Sequence, residues 1–175
     1  MAAARNRRTP ITSVLATAVA GAITLTGFGA VSADAVVEPP RPAFYETPAT
    51  LPAANGAVIR SEKQSFLLDP LDASSLVRNS TRVLYKSTNR AGKAIAVSGT
   101  VMVPTSKWVG LGSRPVIGLA PGTQGMADRC APSRQYSEGL EYEAISAEPL
   151  LARGYAVAIT DYEGLGTVGV HTYMD

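Results

Sequence analysis

One cysteine and one histidine are all that 175 residues contain of the side chains most used for thiol chemistry and metal binding. Cys130 and His171 alone give no Cys/His metal spacing. A thiol enzyme would have to draw both nucleophile and base from these two residues, and a structural or half-disulfide cysteine is the stronger reading of Cys130. Three motifs are missing as well. There is no Walker loop and no Gly-x-Gly-x-x-Gly after a strand, which removes the usual phosphate cradles. There is no Gly-x-Ser-x-Gly either, since Ser98, Ser113, Ser133 and Ser137 each lack a glycine at that spacing. Nor is there a basic cluster. The formal charge is +2, from 16 basic and 14 acidic residues, and Arg5, Arg7 and Arg8 belong to a leader-like N-terminus. Setting those three aside leaves 13 basic against 14 acidic residues, with no footprint for nucleic acid.

What is present begins with targeting. Arg5, Arg7 and Arg8 make a positive start, Ile11 to Ala30 is apolar, and Val31-Ser-Ala33 and Ala33-Asp-Ala35 place small residues as a signal peptidase needs them. Residues 1–35 therefore read as a secretory signal peptide, which implies an extracellular product with no stable membrane anchor. About twenty apolar residues also suffice to span a bilayer, but the small-residue site and the proline-rich sequence after it favour cleavage. Residues 36–80 read as a Pro-rich extended arm. Pro39, Pro40, Pro42, Pro48 and Pro52 fix φ and remove donors, and Phe44, Tyr45 and Leu51 are its anchors. Within the arm, Val58 to Glu62 is a short edge strand and Asp69 to Ser75 opens a helical turn.

The remainder alternates strands and turns. Arg82 to Thr88 is a strand, Asn89-Arg-Ala-Gly92 a turn, and Ala94 to Val103 a second strand closed by Pro104. On that second strand Ile95, Val97, Gly99, Val101 and Val103 share one face, and Ala96, Ser98, Thr100 and Met102 the other. Pro115 to Ala120 is apolar on both faces, as in a parallel strand covered on each side. A helix is expected from about Ser137 to Arg153, kinked or restarted at Pro149 and stopped by Gly154, with Tyr155 to Thr160 as the next apolar strand. The result is an antiparallel hairpin leading into a parallel βαβ unit, an α/β chain whose order is that of the start of an α/β-hydrolase sheet, although other α/β folds share it.

Two loops follow the parallel strands, where ligands collect in open α/β sheets. Pro121-Gly-Thr-Gln-Gly125 lies where an α/β-hydrolase supplies an oxyanion-hole amide, so Gly122, Thr123 and Gln124 are candidate substrate-binding residues. A plain strand-to-helix turn accounts for the same residues. Asp161-Tyr-Glu-Gly-Leu-Gly166 is the second loop. Asp161 there either faces a site or accepts local backbone hydrogen bonds, as Asp does in turns. His171, without an elbow serine before it, reads as a loop histidine.

Several stretches together resemble a family. Phe44-Tyr45, Gly56-Ala-Val-Ile-Arg-Ser-Glu62, Arg82 to Thr88, Ser98-Gly-Thr-Val-Met-Val-Pro104, Ala120 to Gly125, Asp128-Arg-Cys-Ala-Pro-Ser133, Leu151 to Gly166 and Gly169-Val-His-Thr-Tyr173 are similar to the N-terminal part of secreted lipases related to Candida antarctica lipase A, especially actinobacterial ones. The resemblance implies that residues 81–175 are the N-terminal part of an α/β-hydrolase domain with an incomplete sheet. It implies a secreted lipase or esterase acting on acylglycerols or other carboxylic esters, with a Ser–Asp–His triad and no cofactor. Asp161 matches the family's oxyanion-hole aspartate, while nucleophile, acid and base have no counterpart in this chain. The chain alone is then expected to be inactive, and Cys130 to pair with a cysteine outside it. The alternative is a non-catalytic secreted remnant or small binding protein.

Overall fold

The computed structural model describes residues 39–66 and 73–173. The leader and most of the turn expected from Asp69 lie outside the described residues, and only a 3-10 turn at Ala73–Leu76 is seen from the latter. Five strands form one mixed sheet: β1 (Val58–Gln64), β2 (Val77–Thr88), β3 (Ala94–Pro104), β4 (Val116–Leu119) and β5 (Ala156–Thr160). Their spatial order is β1-β2-β3-β5-β4. β1, β2 and β3 run antiparallel, β3 pairs antiparallel with β5, and β4 pairs parallel with β5. Hairpin and parallel unit are thus both present, and β5 lies between β3 and β4.

The hairpin forms where alternation and punctuation agree. β2 pairs with β3 across the turn at Asn89–Gly92, where the Gly92 N–H donates to the Asn89 carbonyl (2.9 Å). β2 starts at Val77, earlier than the sequence signal at Arg82. On β3 the face carrying Ala96, Ser98, Thr100 and Met102 is buried throughout, although it is the more polar one. Met102 joins Phe66, Tyr136, Leu151, Val157 and Ile159 in the main core, and Leu84 and Ala96 join Phe44 and Tyr45 in a second cluster. The arm residues Phe44 and Tyr45 are thereby pinned to the sheet by burial.

Two expectations are corrected. The long helix from Ser137 to Arg153 is absent. In its place α1 spans Pro132–Glu138, a 3-10 segment spans Tyr142–Ala147, and α2 spans Glu148–Ala152. Pro132 occupies the first turn of α1, Gly139 ends it in the left-handed conformation, and Pro149 restarts the chain inside the first turn of α2. The second correction concerns β4. It is an edge strand whose Val116 is 62% exposed, so the apolar run is not covered on both faces. The strongest stop signal holds: Gly154 follows α2 with φ +87°, and a Cβ there would approach the Lys107 carbonyl oxygen to 2.6 Å. Gly154→Ala is expected to lower stability by at least ~1 kcal/mol from the left-handed conformation alone, read as a reduced urea midpoint with an unchanged slope.

Candidate functional site

Parallel strands β4 and β5 deliver their carboxyl ends side by side, and the loops beyond them make the site. Tyr162 bridges the two, its hydroxyl donating to the Pro121 carbonyl (2.7 Å). It does so from a left-handed backbone conformation, φ 68°, the sole non-glycine residue with positive φ among those described. Such a conformation costs about 1–2 kcal/mol and persists where surrounding contacts hold it. Beside Tyr162 opens a cleft of about 420 Å³, lined by Gly122, Thr123, Glu163, His171 and Tyr173 among others. Tyr173 closes its far side: its hydroxyl accepts from the Gly125 N–H (2.8 Å) and donates to the Gly125 carbonyl (2.7 Å). His171 stands edge-on to Tyr173 at 4.0 Å between ring centroids. Its Nδ1 pairs with the Glu163 carbonyl (2.8 Å), while Nε2 is buried and has no partner among the described residues.

Of the sequence candidates, Gly122 and Thr123 line this cleft. Gln124 folds back instead, donating from Nε2 to the Gly122 carbonyl (3.2 Å). Asp161 lies beneath the cleft, fully buried. Its backbone N–H donates to the Ser98 carbonyl (2.9 Å), and Oδ1 accepts from the Ser133 N–H (2.7 Å). Oδ2 accepts from the Ser133 hydroxyl. The local-turn reading of Asp161 is therefore replaced by a long-range one: the carboxylate ties the β5 loop to the start of α1. Burial pushes Asp161 up to about 6, against the opposing pull of the hydroxyls of Ser133 and Ser98, the Ser133 N–H and the Arg82 charge.

Behind Asp161 the hydrogen bonds run in one direction. The Ser133 hydroxyl donates to the carboxylate, so its oxygen accepts from the Tyr45 hydroxyl at 2.8 Å. The Tyr45 oxygen accepts from Arg82 Nη1 at 2.9 Å, and Arg82 pairs with Glu62. Burial raises the Tyr45 phenol to about 12, so it remains the donor this order requires. From the sequence, Tyr45 is expected only as an anchor of the arm, and Arg82 and Ser133 have no expected role at the site. The one available signal was a tyrosine in a proline-rich arm whose hydroxyl would need a partner once buried.

No cluster of three or more His, Cys, Asp or Glu suited to a metal occurs among the described residues. Cys130 is half-buried and free. No described helix is long and apolar enough to cross a membrane.

Comparison with known proteins shows what the chain is similar to. No protein-family model matches the chain. A crystal structure of Candida antarctica lipase A in its closed state superposes with a TM-score of 0.58 at 26% identity, covering 71% of this chain and 30% of that one. A second structure of the same lipase gives 0.53 at 26% identity. The chain resembles Candida antarctica lipase A in sequence and fold. It has the fold of an α/β-hydrolase with an open sheet, and its relatives are lipases. A probable inactive lipase of Mycobacterium tuberculosis is 30% identical over 129 residues, 69% of this chain and 28% of that protein. The chain thus spans less than a third of the length of these relatives.

Proposed function

We propose that these residues form one wall of the active-site cleft of a secreted carboxylic ester hydrolase acting on acylglycerols or related esters. One observation carries the reading: the loops after β4 and β5 converge on a cleft lined by the Gly122–Thr123 backbone, at the strand ends where amide donors meet a developing oxyanion. The Ser–Asp–His triad is supplied from outside these 175 residues, in keeping with the missing serine elbow and the greater length of the relatives. Asp161 acts as a positioning residue, holding the β5 loop and α1 in the relation that shapes the cleft. Secretion rests on the basic start, the apolar run and the small residues at 31–35. Cys130, half-buried and unpaired, pairs with a cysteine outside the chain.

A second reading, a secreted protein without catalysis, is favoured by the M. tuberculosis relative being named an inactive lipase. The coding sequence beyond residue 175 separates the two. An in-frame Gly-x-Ser-x-Gly is expected, with the extended protein hydrolysing p-nitrophenyl butyrate and residues 36–175 alone giving no turnover. An immediate stop codon, or an extended protein carrying that motif but no esterase activity, would overturn the first reading in favour of the second.

A further inference from the structure

One backbone amide in the wall of the cleft already has a carboxylate on it. The Gly122 N–H donates to Glu143 Oε2 at 2.6 Å, a short, charge-assisted bond between a cleft-lining backbone and a carboxylate twenty-one residues away. The approach is close: a Cβ on residue 122 would lie 2.6 Å from the other carboxylate oxygen, so a larger residue there would make the Glu143 side chain shift. Glu143 is aimed there by its own segment. Glu141, 1% exposed, accepts the Glu143 N–H on Oε1 (2.9 Å) at the start of the 3-10 turn.

Behind the carboxylate lies a second cavity of about 260 Å³, lined by Leu119, Pro121, Tyr136, Ser146 and Ile159, with Glu143 in its wall. Tyr136, 1% exposed, borders this cavity with a hydroxyl that has no partner among the described residues. Glu143 therefore contacts Gly122 in the wall of the outer cleft and also lines this second cavity, whose wall mixes apolar Leu119, Pro121 and Ile159 with polar Tyr136 and Ser146.

We infer that the Gly122 amide and the chamber behind it form a binding site for a short-chain carboxylate or acyl oxygen, and that Glu143 holds this site closed by acting as an internal substitute for that anion. An oxygen ligand takes the Gly122 N–H when the Glu143 side chain swings away, and its alkyl part lies along Leu119 and Ile159 in the cavity wall. The inference deepens the esterase reading and rests on it for the identity of the natural ligand. It does not need a nucleophile, so it can fail or hold independently of turnover.

The test is a titration of the 15N-labelled chain with sodium butyrate, followed at the Gly122 amide resonance. Glu143→Ala is expected to bind butyrate at least about tenfold more tightly than wild type, since one charge-assisted hydrogen bond no longer competes. The Gly122 signal should move downfield and saturate. Equal responses in both proteins, or an unmoved Gly122 signal in a variant with an otherwise native spectrum, would overturn the inference. Should the alanine variant lose its native spectrum, Glu143→Gln decides. It preserves the shape and lacks the charge, and butyrate affinity no greater than wild type would refute the closed-site model. Esterase activity in the extended protein together with a butyrate-insensitive Gly122 would sink this inference alone.

Discussion

Asp161→Ala is expected to destabilise the folded chain by about 2–4 kcal/mol at pH 7, because it orphans two buried donors at once. The Ser133 N–H and the Ser133 hydroxyl both end on the Asp161 carboxylate, and Ser133 is itself fully buried. Water cannot replace the lost acceptor without opening the contact between α1 and the β5 loop. The disturbance should also travel outward, since the Ser133 oxygen receives Tyr45 and Tyr45 receives Arg82. Urea unfolding measures the loss. A change below ~0.5 kcal/mol would show that the carboxylate does not hold these elements together, that being the range of surface substitutions away from such features.

The same residue predicts how stability varies with pH. Asp161 titrates near 6 in the fold against an ordinary value of 3.8, because burial disfavours its charged form. Between those two values the native state holds more protons than the unfolded state, so stability falls as pH rises through the window and levels off above it. The full difference corresponds to roughly 3 kcal/mol. Glu141, also raised by burial, acts in the same direction. Urea midpoints are therefore expected to drop from about pH 4 to about pH 6.5 in the wild type. In Asp161→Asn, which has nothing to titrate, most of that slope should vanish. A wild-type midpoint that climbs steadily across the window would contradict the assignment.

Much of this was legible because local signals repeat. Alternation in β3, the Asn89–Gly92 turn, and the Gly154 stop each announce themselves within a few residues. Less legible was whatever depends on partners far away in sequence. Asn79 and Ser80 precede the strand expected from Arg82, yet pairing with Val103 and Met102 of β3 draws them into β2. The polar stretch before Ser137 hid α1, although Pro132 was available as a first-turn marker. An apolar strand states what its side chains prefer, and β4 shows that the preference can go unmet at an edge. At the candidate site, the strand-end loops pointed to Gly122 and Thr123, which line the cleft, and to Asp161, which is buried. Glu143 on the Gly122 amide and the Tyr45–Ser133–Asp161 relay join residues from separate segments, for which no spacing rule exists.

The strand order also sets a sequence of events. β2 and β3 meet across a five-residue connection, so their pairing closes a small loop at low entropic cost. β5 must find β3 from about sixty residues further along, Thr160 opposite Gly99, and only then offers β4 a parallel neighbour. Contacts of such separation form late in folding. The hairpin is thus the early platform, whereas Asp161 reaches Ser133 only after the central strand has inserted. The cleft, whose two loops follow β4 and β5, takes its shape only once those strands are paired.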